Sequence, residues 1–202
     1  MTSKDIRAAD LKRQALACLQ RNQAGSARQL LVTASELKPD DPDIWHILGS
    51  THAMLDEYES AERCCRSALS IQPRHGGALY NLGVVLQKQG KFQTAIEYYR
   101  KALELLPGHP LIHSSLGYAL YESGKLDDAV SSCRKALAIN PDTAEAWNNL
   151  SVAQWALGQH EEAAHSCRKA LEIRPDYADA YNNLGNCLGD LSRYDEATDA
   201  YT

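Results

Sequence analysis

AEAWNNLSVAQWALGQHEEAAHSCRKALEIRP, residues Ala144 to Pro175, decides how the whole chain is read, because most of it comes round again. AWNNL at Ala146 to Leu150 returns thirty-four residues later as AYNNL at Ala180 to Leu184, and a cousin, LYNLG, stands at Leu79 to Gly83. A fixed period of that length is the mark of a repeat architecture. Proline supplies the ruler. Pro39, Pro73, Pro107, Pro141 and Pro175 stand 34 residues apart, and the remaining two, Pro42 and Pro110, follow a ruler proline by three. No proline interrupts a helix-length segment.

With these prolines at position 32, the units are 8–41, 42–75, 76–109, 110–143 and 144–177, then a shortened unit, 178–202. Position 20 is alanine in all six: Ala27, Ala61, Ala95, Ala129, Ala163 and Ala197. Position 27 is alanine wherever the unit reaches it, and position 8 is small throughout: Ala15, Gly49, Gly83, Gly117, Ser151 and Gly185. Small residues at one place on a helix admit another backbone, so position 8 of a first helix is expected to meet position 20 of a second. Positions 4, 7, 8 and 11 keep the i, i+3, i+4, i+7 spacing of one helix face, as do 20, 24, 27 and 28. In unit 144–177 the first set is Trp147, Leu150, Ser151 and Gln154, the last a polar exception. Gly90, Gly124 and Gly158 at position 15 suit a helix C-terminus, where glycine takes the left-handed conformation without a Cβ clash. The proline ends the second helix, and Asp40, Asp142 or Asp176 after it suits a turn or an N-cap. Each unit is therefore a helical hairpin, and the fold class is all-α.

The pattern W/Y-x-x-L-G, then G-x-Y/F-x-x-A, then a large residue, alanine and proline, resembles the tetratricopeptide repeat over nearly the whole chain. The resemblance implies a single solenoid over 1–202, a right-handed superhelix of antiparallel helix pairs whose first helices line a peptide-receiving groove. Two departures stand out. Unit 8–41 has Gln14 where leucine is expected at position 7 and Ala24 where an aromatic is expected at position 17, as in a degenerate, solvated cap. The last unit stops partway through its second helix, so the chain is expected to be a piece of something longer, with Tyr194, Ala197 and Tyr201 exposed at a raw end able to self-associate.

Composition narrows the function. The 202 residues are 44% hydrophobic, enough to bury a core, and the net charge of −5 is spread without a Lys/Arg block. Nucleic acid is an unexpected partner. The first twenty residues mix charges with apolar groups and hold no signal-peptide core, and no apolar run reaches the roughly 20 residues that span a bilayer. No membrane is expected, and a cytoplasmic location is. Six cysteines show no CxxC, and three of them, Cys65, Cys133 and Cys167, share position 24. Equivalent positions in stacked units lie about 10 Å apart, too far for a disulfide, which needs Cα atoms within about 7 Å. They are expected to be buried structural thiols. HEEAAH at His160 to His165 has its histidines at i, i+5 rather than the i, i+4 that one metal ion requires. The histidines at 46, 52, 75, 109 and 113 scatter over turns and helix surfaces. No phosphate loop or nucleophile elbow is present, so neither catalysis nor a cofactor nor a metal is expected.

Projection at 100° per residue puts positions 2, 6, 9 and 13 opposite the core stripe of each first helix. The candidate peptide groove takes Asn81, Val84, Leu111, Ser115, Tyr118, Asn149, Val152, Asn183 and Asn186 from these positions, with Tyr121, Asn148, Trp155 and Asn182 flanking. The opposite face, on second helices such as Glu161, Glu162, His165, Arg168, Lys169 and Glu172, is charged and expected to need no partner. Exposed apolar groups in a row mark an interaction surface. Asparagine costs an exposed helix about 0.5 kcal/mol against alanine, which function offsets if its amide holds a peptide backbone; descent or local helix bonding is the other explanation. Asn81, Asn149 and Asn183 at position 6 are similar to the asparagine ladder of the tetratricopeptide region of O-linked N-acetylglucosamine transferases, which Ser115, Ile47 and Arg13 break. On that resemblance the amides hold substrate backbone, and Asn149→Ala with Asn183→Ala weakens binding at nearly unchanged melting temperature. The carboxylate clamp of co-chaperones has no matching triplet: Lys12 is followed by Leu16, and Asn182 with Asn186 lacks the lysine. The expected function is a non-enzymatic scaffold binding an extended peptide or helix of a partner protein. The alternative is the substrate-recruiting region of a larger enzyme such as a glycosyltransferase.

Overall fold

The computed structural model describes residues 2–201, the side chains of Asp199 and Tyr201 excepted. Twelve α-helices and no strand occur among the described residues. They fall into two compact units, with the chain dividing between Leu105 and Leu106. The first holds α1 (Ser3–Gln20), α2 (Ala24–Leu37), α3 (Pro42–Met54), α4 (Tyr58–Ile71), α5 (Gly76–Lys88) and α6 (Phe92–Leu105). The second holds α7 (Pro110–Glu122), α8 (Leu126–Ile139), α9 (Ala144–Ala156), α10 (His160–Ile173), α11 (Ala178–Asp190) and α12 (Tyr194–Tyr201). Each pair is a hairpin, and within a unit the second helix of one hairpin packs on the first of the next. First helices also meet directly: α3 with α5, α7 with α9, α9 with α11. The second helices α2, α4, α6, α8 and α10 each end two residues before their ruler proline.

All six first helices stop the same way. Position 15 is left-handed at Gly90, Gly124 and Gly158, with φ of 74°, 73° and 76°. The same conformation occurs at Asn22, Asp56 and Ser192, with φ of 57°, 57° and 60°. The residue after it donates back five residues, for example Lys91 N to Leu86 O and Glu57 N to His52 O, closing a Schellman turn. The turn geometry thus outlasts glycine. Asp40, Asp142 and Asp176 lie in turns, and capping falls to other residues: Asp41 Oδ1 accepts from the backbone of Asp43 and Ile44 before α3, and His75 Nδ1 accepts from Ala78 N–H before α5.

The first helix begins at Ser3, earlier than a unit starting at residue 8, because Thr2 and Asp5 form a reciprocal capping box and Ala8 is fully buried. At the crossings of α3 with α4, α5 with α6 and α7 with α8 the close approach is real, but the nearest neighbour is position 24 as much as position 20. A Cβ on Gly83 would lie 2.6 Å from the Tyr99 ring, and one on Gly49 would meet Cys65 Sγ at 2.9 Å and Ala61 O at 3.3 Å. The expected raw end is only partly exposed. Tyr194 is open to solvent, yet Ala197 is buried in a cluster with Cys167, Leu184 and Leu188, since α12 already covers α11; the side chain of Tyr201 lies outside the described residues.

Candidate functional site

The position-6 asparagines are not idle amides. Asn81 Nδ2 lies 3.0 Å from His46 Nδ1 in the first unit. In the second unit, Asn149 Nδ2 donates to Ser114 Oγ at 3.1 Å and to Ser114 O at 3.3 Å, and Asn183 Nδ2 donates to Asn148 Oδ1 at 2.9 Å. Each bond runs from position 6 of one hairpin to position 5 of the hairpin before it. The asparagines therefore tie successive first helices together, which neither a free peptide ladder nor local helix bonding describes. Asn148 is correspondingly buried beneath its partner, while Asn81, Asn149 and Asn183 are half-buried.

The remaining predicted residues divide by unit. Val84 is half-buried in the first. In the second, Ser115, Tyr118, Tyr121 and Val152 are half-buried, and Leu111, Trp155, Asn182 and Asn186 are exposed. Five of them meet. Tyr121 from α7, Val152 and Trp155 from α9, and Asn183 and Asn186 from α11 line a cavity of about 170 Å³, with Ser151 and Cys187 behind. Trp155 is oriented by its indole N–H, which donates to Asp190 Oδ2 at 2.6 Å.

The charged side chains that these three helices themselves carry are all acidic. Helices α7, α9 and α11 carry Glu122, Glu145, Asp179 and Asp190 and no lysine or arginine. Glu145 is held by Arg174 from the end of α10, an ion pair that keeps its carboxyl below the usual range against the opposing pull of burial. Burial first, then a hydrogen bond to Glu122 and the carboxylates of Glu122 and Asp179, push the Tyr118 phenol up to about 12.

The first unit has its own polar cluster, which the sequence reading scattered. His46 and His75 pack with their rings tilted 43° and centroids 4.9 Å apart, and His75 Nε2 lies 3.0 Å from Asp43 Oδ1. Burial, followed by the charge of His75, lowers His46 to about 4. The cysteines are free and, except Cys18, buried; Cys167 and Cys187 share a hydrogen bond that, with burial, pushes the Cys187 thiol up. That contact joins position 24 to position 10 of the next hairpin, a pairing that comparison of equivalent positions overlooks. No cluster of three metal-ligating side chains occurs among the described residues, and no helix is long and apolar enough to cross a membrane.

Models of the tetratricopeptide repeat match residues 42–75, 77–109, 114–178 and 166–199. A curated relative, tetratricopeptide repeat protein 8 of Caenorhabditis elegans, is 32% identical over 78 residues, 38% of this chain but only 15% of that protein. Among solved structures, PilW, described as a type IV pilus biogenesis factor, superposes with a TM-score of 0.87 at 18% identity, covering 96% of this chain and 90% of that one. MamA from Desulfovibrio magneticus RS-1 gives 0.74 at 22% identity over 88% and 98% of the two chains. YrrB, described as having an unusual peptide-binding site, gives 0.66 at 25% identity over 84% and 88%.

Proposed function

Because the chain belongs to the tetratricopeptide repeat family, whose members are protein-interaction scaffolds, we propose that the first-helix face of its second unit binds an extended segment of a partner protein. The observation that carries this reading is the cavity where Tyr121, Val152, Trp155, Asn183 and Asn186 converge from three hairpins. Aromatic and apolar walls receive a side chain while the amides beside them offer hydrogen bonds to its backbone. Asn149 Nδ2 already bonds Ser114 at both Oγ and O, leaving its oxygen to accept, while Asn183 Nδ2 uses one hydrogen on Asn148 and keeps a second hydrogen and its oxygen for a bound backbone.

Glu145 is neutralised by Arg174, but Glu122, Asp179 and Asp190 have no lysine or arginine partner among the described residues, and they favour a segment carrying positive charge next to an apolar anchor. The matched relatives do not favour the recruiting arm of a glycosyltransferase. Panning a library of short linear segments against the chain tests the proposal. Selected segments should be enriched in Lys or Arg beside a large apolar residue, should weaken as salt rises, and should lose about tenfold in affinity on Trp155→Ala or Val152→Asp. Binders indifferent to both substitutions would place the interaction elsewhere.

A further inference from the structure

The carboxylate that orients Trp155 is also faced by a histidine. Trp155 donates its indole N–H to Asp190 Oδ2 at 2.6 Å, and His160 Nδ1, in the first residue of α10, lies 3.7 Å from the same oxygen. That separation is within reach of an ion pair and too long for a hydrogen bond. His160 Nδ1 is itself sealed from solvent and makes no hydrogen bond among the described residues. Position 17 is elsewhere Tyr58, Phe92, Leu126 or Tyr194, so the fold has no need of an imidazole there. Position 13 of the following hairpin is aspartate only at Asp190, and the two unusual residues meet.

The charges around His160 come from its own helix and from those packed against it. Helix α11 brings Asp190, and α9 brings Trp155 but no charged group at this end. On α10, Glu161 and Glu162 follow the histidine, and Glu161 is paired at 3.6 Å with Arg193, from the turn before α12. Arg193 is further engaged by Glu196 at 2.7 Å. The N-terminus of α10 disfavours a cation. Against it stands Asp190, a carboxylate that no lysine or arginine neutralises among the described residues.

We propose that His160 is a proton-operated switch on the groove: once protonated it pairs with Asp190, cancels the negative charge beside Trp155, and so loosens a bound basic segment as pH falls. The proposal rests on the reading of the first-helix face given above and adds the regulation of that site. With the ring neutral, the Asp190 charge is left to attract a lysine or arginine of the segment. With the ring charged, Nδ1–H donates to Asp190 Oδ2 after closing the gap by roughly 1 Å, to the length of a charge-assisted bond. The oxygen keeps the Trp155 N–H, so the cavity wall stays in place and only the charge changes. Histidine is the side chain whose ordinary titration falls between about pH 5 and 8, the range in which such a switch operates.

Two measurements on the full chain keep the switch and the groove apart. In the free chain, the His160 ring and Trp155 indole N–H resonances, followed from about pH 8 to about pH 5, should move in one shared transition. Asp190→Asn keeps an acceptor for the indole without the charge and should remove that transition from Trp155. Separate transitions, or a shared one that survives Asp190→Asn, would overturn the switch. The second measurement uses the peptide acetyl-Lys-Leu-Lys-Leu-Lys-amide as probe, which should bind about threefold more weakly at the acid end of this range, the effect of one exposed charge pair. His160→Phe, which installs the residue found at Phe92, should make binding equal at both ends. A pH dependence unchanged by His160→Phe would assign it to other groups and end the proposal. Absence of binding at either pH would strike the groove reading, and the regulation with it, even where His160 and Trp155 titrate together.

Discussion

Asn183 Nδ2 donates to Asn148 Oδ1 at 2.9 Å, one first helix bonding the side chain of the helix before it. Asn149 does the same to Ser114, and Asn81 to His46. Removing Asn183 leaves the buried Asn148 without this donor, so Asn183→Ala should lower unfolding free energy by about 1 kcal/mol, and Asn149→Ala by a similar amount. This differs from the unchanged melting temperature expected when the amides are read as peptide contacts alone. Equilibrium urea unfolding decides between them, with Asn186→Ala, exposed on the same helix, as the comparison expected to move stability less.

The crossing of α5 and α6 should tolerate no Cβ. Gly83→Ala would place one 2.6 Å and 2.7 Å from atoms of a fully buried Tyr99 ring whose hydroxyl donates to Gln87 Oε1 at 2.9 Å. The ring cannot swing away cheaply, and overpacking of this kind costs about 1–3 kcal/mol. The first hairpin holds the equivalent positions as Ala15 and Leu31, both fully buried, which shows the compatible pairing. Gly83→Ala with Tyr99→Leu should therefore lose less stability than the two single changes added, a coupling that a double-mutant cycle measures directly. Strict additivity would mean the contact is not the cause.

The proline ruler and the alanines at positions 20 and 27 made the hairpins legible, since a period shared by helix ends and packing positions admits few other folds. Where the reading stopped short, the missing information was three-dimensional. Asn22, Asp56 and Ser192 adopt the conformation of Gly90 because the Schellman bonds hold it, and side-chain identity alone does not announce that. The bond from Asn149 to Ser114 spans 35 residues and depends on how far one helix is shifted along its neighbour. Gln154 was visible as an exception to the apolar stripe, but that its oxygen accepts from Ser166 Oγ follows only from the packing of α10 against α9.

Thiol reactivity should divide the cysteines sharply. Burial pushes Cys64 up to about 11 and Cys65 and Cys133 up to about 12, so none of these presents an appreciable thiolate at neutral pH. Cys18 is the only partly exposed one of the six. An aromatic disulfide reagent should therefore label Cys18 first in the native chain and the others only at the rate of unfolding. Rapid labelling of Cys65 or Cys133 under native conditions would show that the hairpin interior opens far more readily than its packing indicates.

Acid should weaken the first unit through His46. Its imidazole is packed against His75, Asn81 and Gly77, with Asp43 and, beyond it, Lys12 as the nearby charges, and its pKa falls from 6.5 to about 4. Below about pH 6.5 the unfolded chain binds a proton that the folded chain refuses. Stability contributed by keeping this ring neutral is therefore present above that pH, declines as pH falls, and levels off near 4 once the folded ring also protonates. After allowance for the ring's residual exposure, the decline attributable to this group is about 2 kcal/mol. His46→Asn should remove that component while keeping the bond from Asn81, because an asparagine at the same position, Asn148, accepts from Asn183 in the second unit. Unfolding curves measured across this pH range should thus be flatter for His46→Asn than for the wild type, and a parallel pair of profiles would assign the acid sensitivity to other groups.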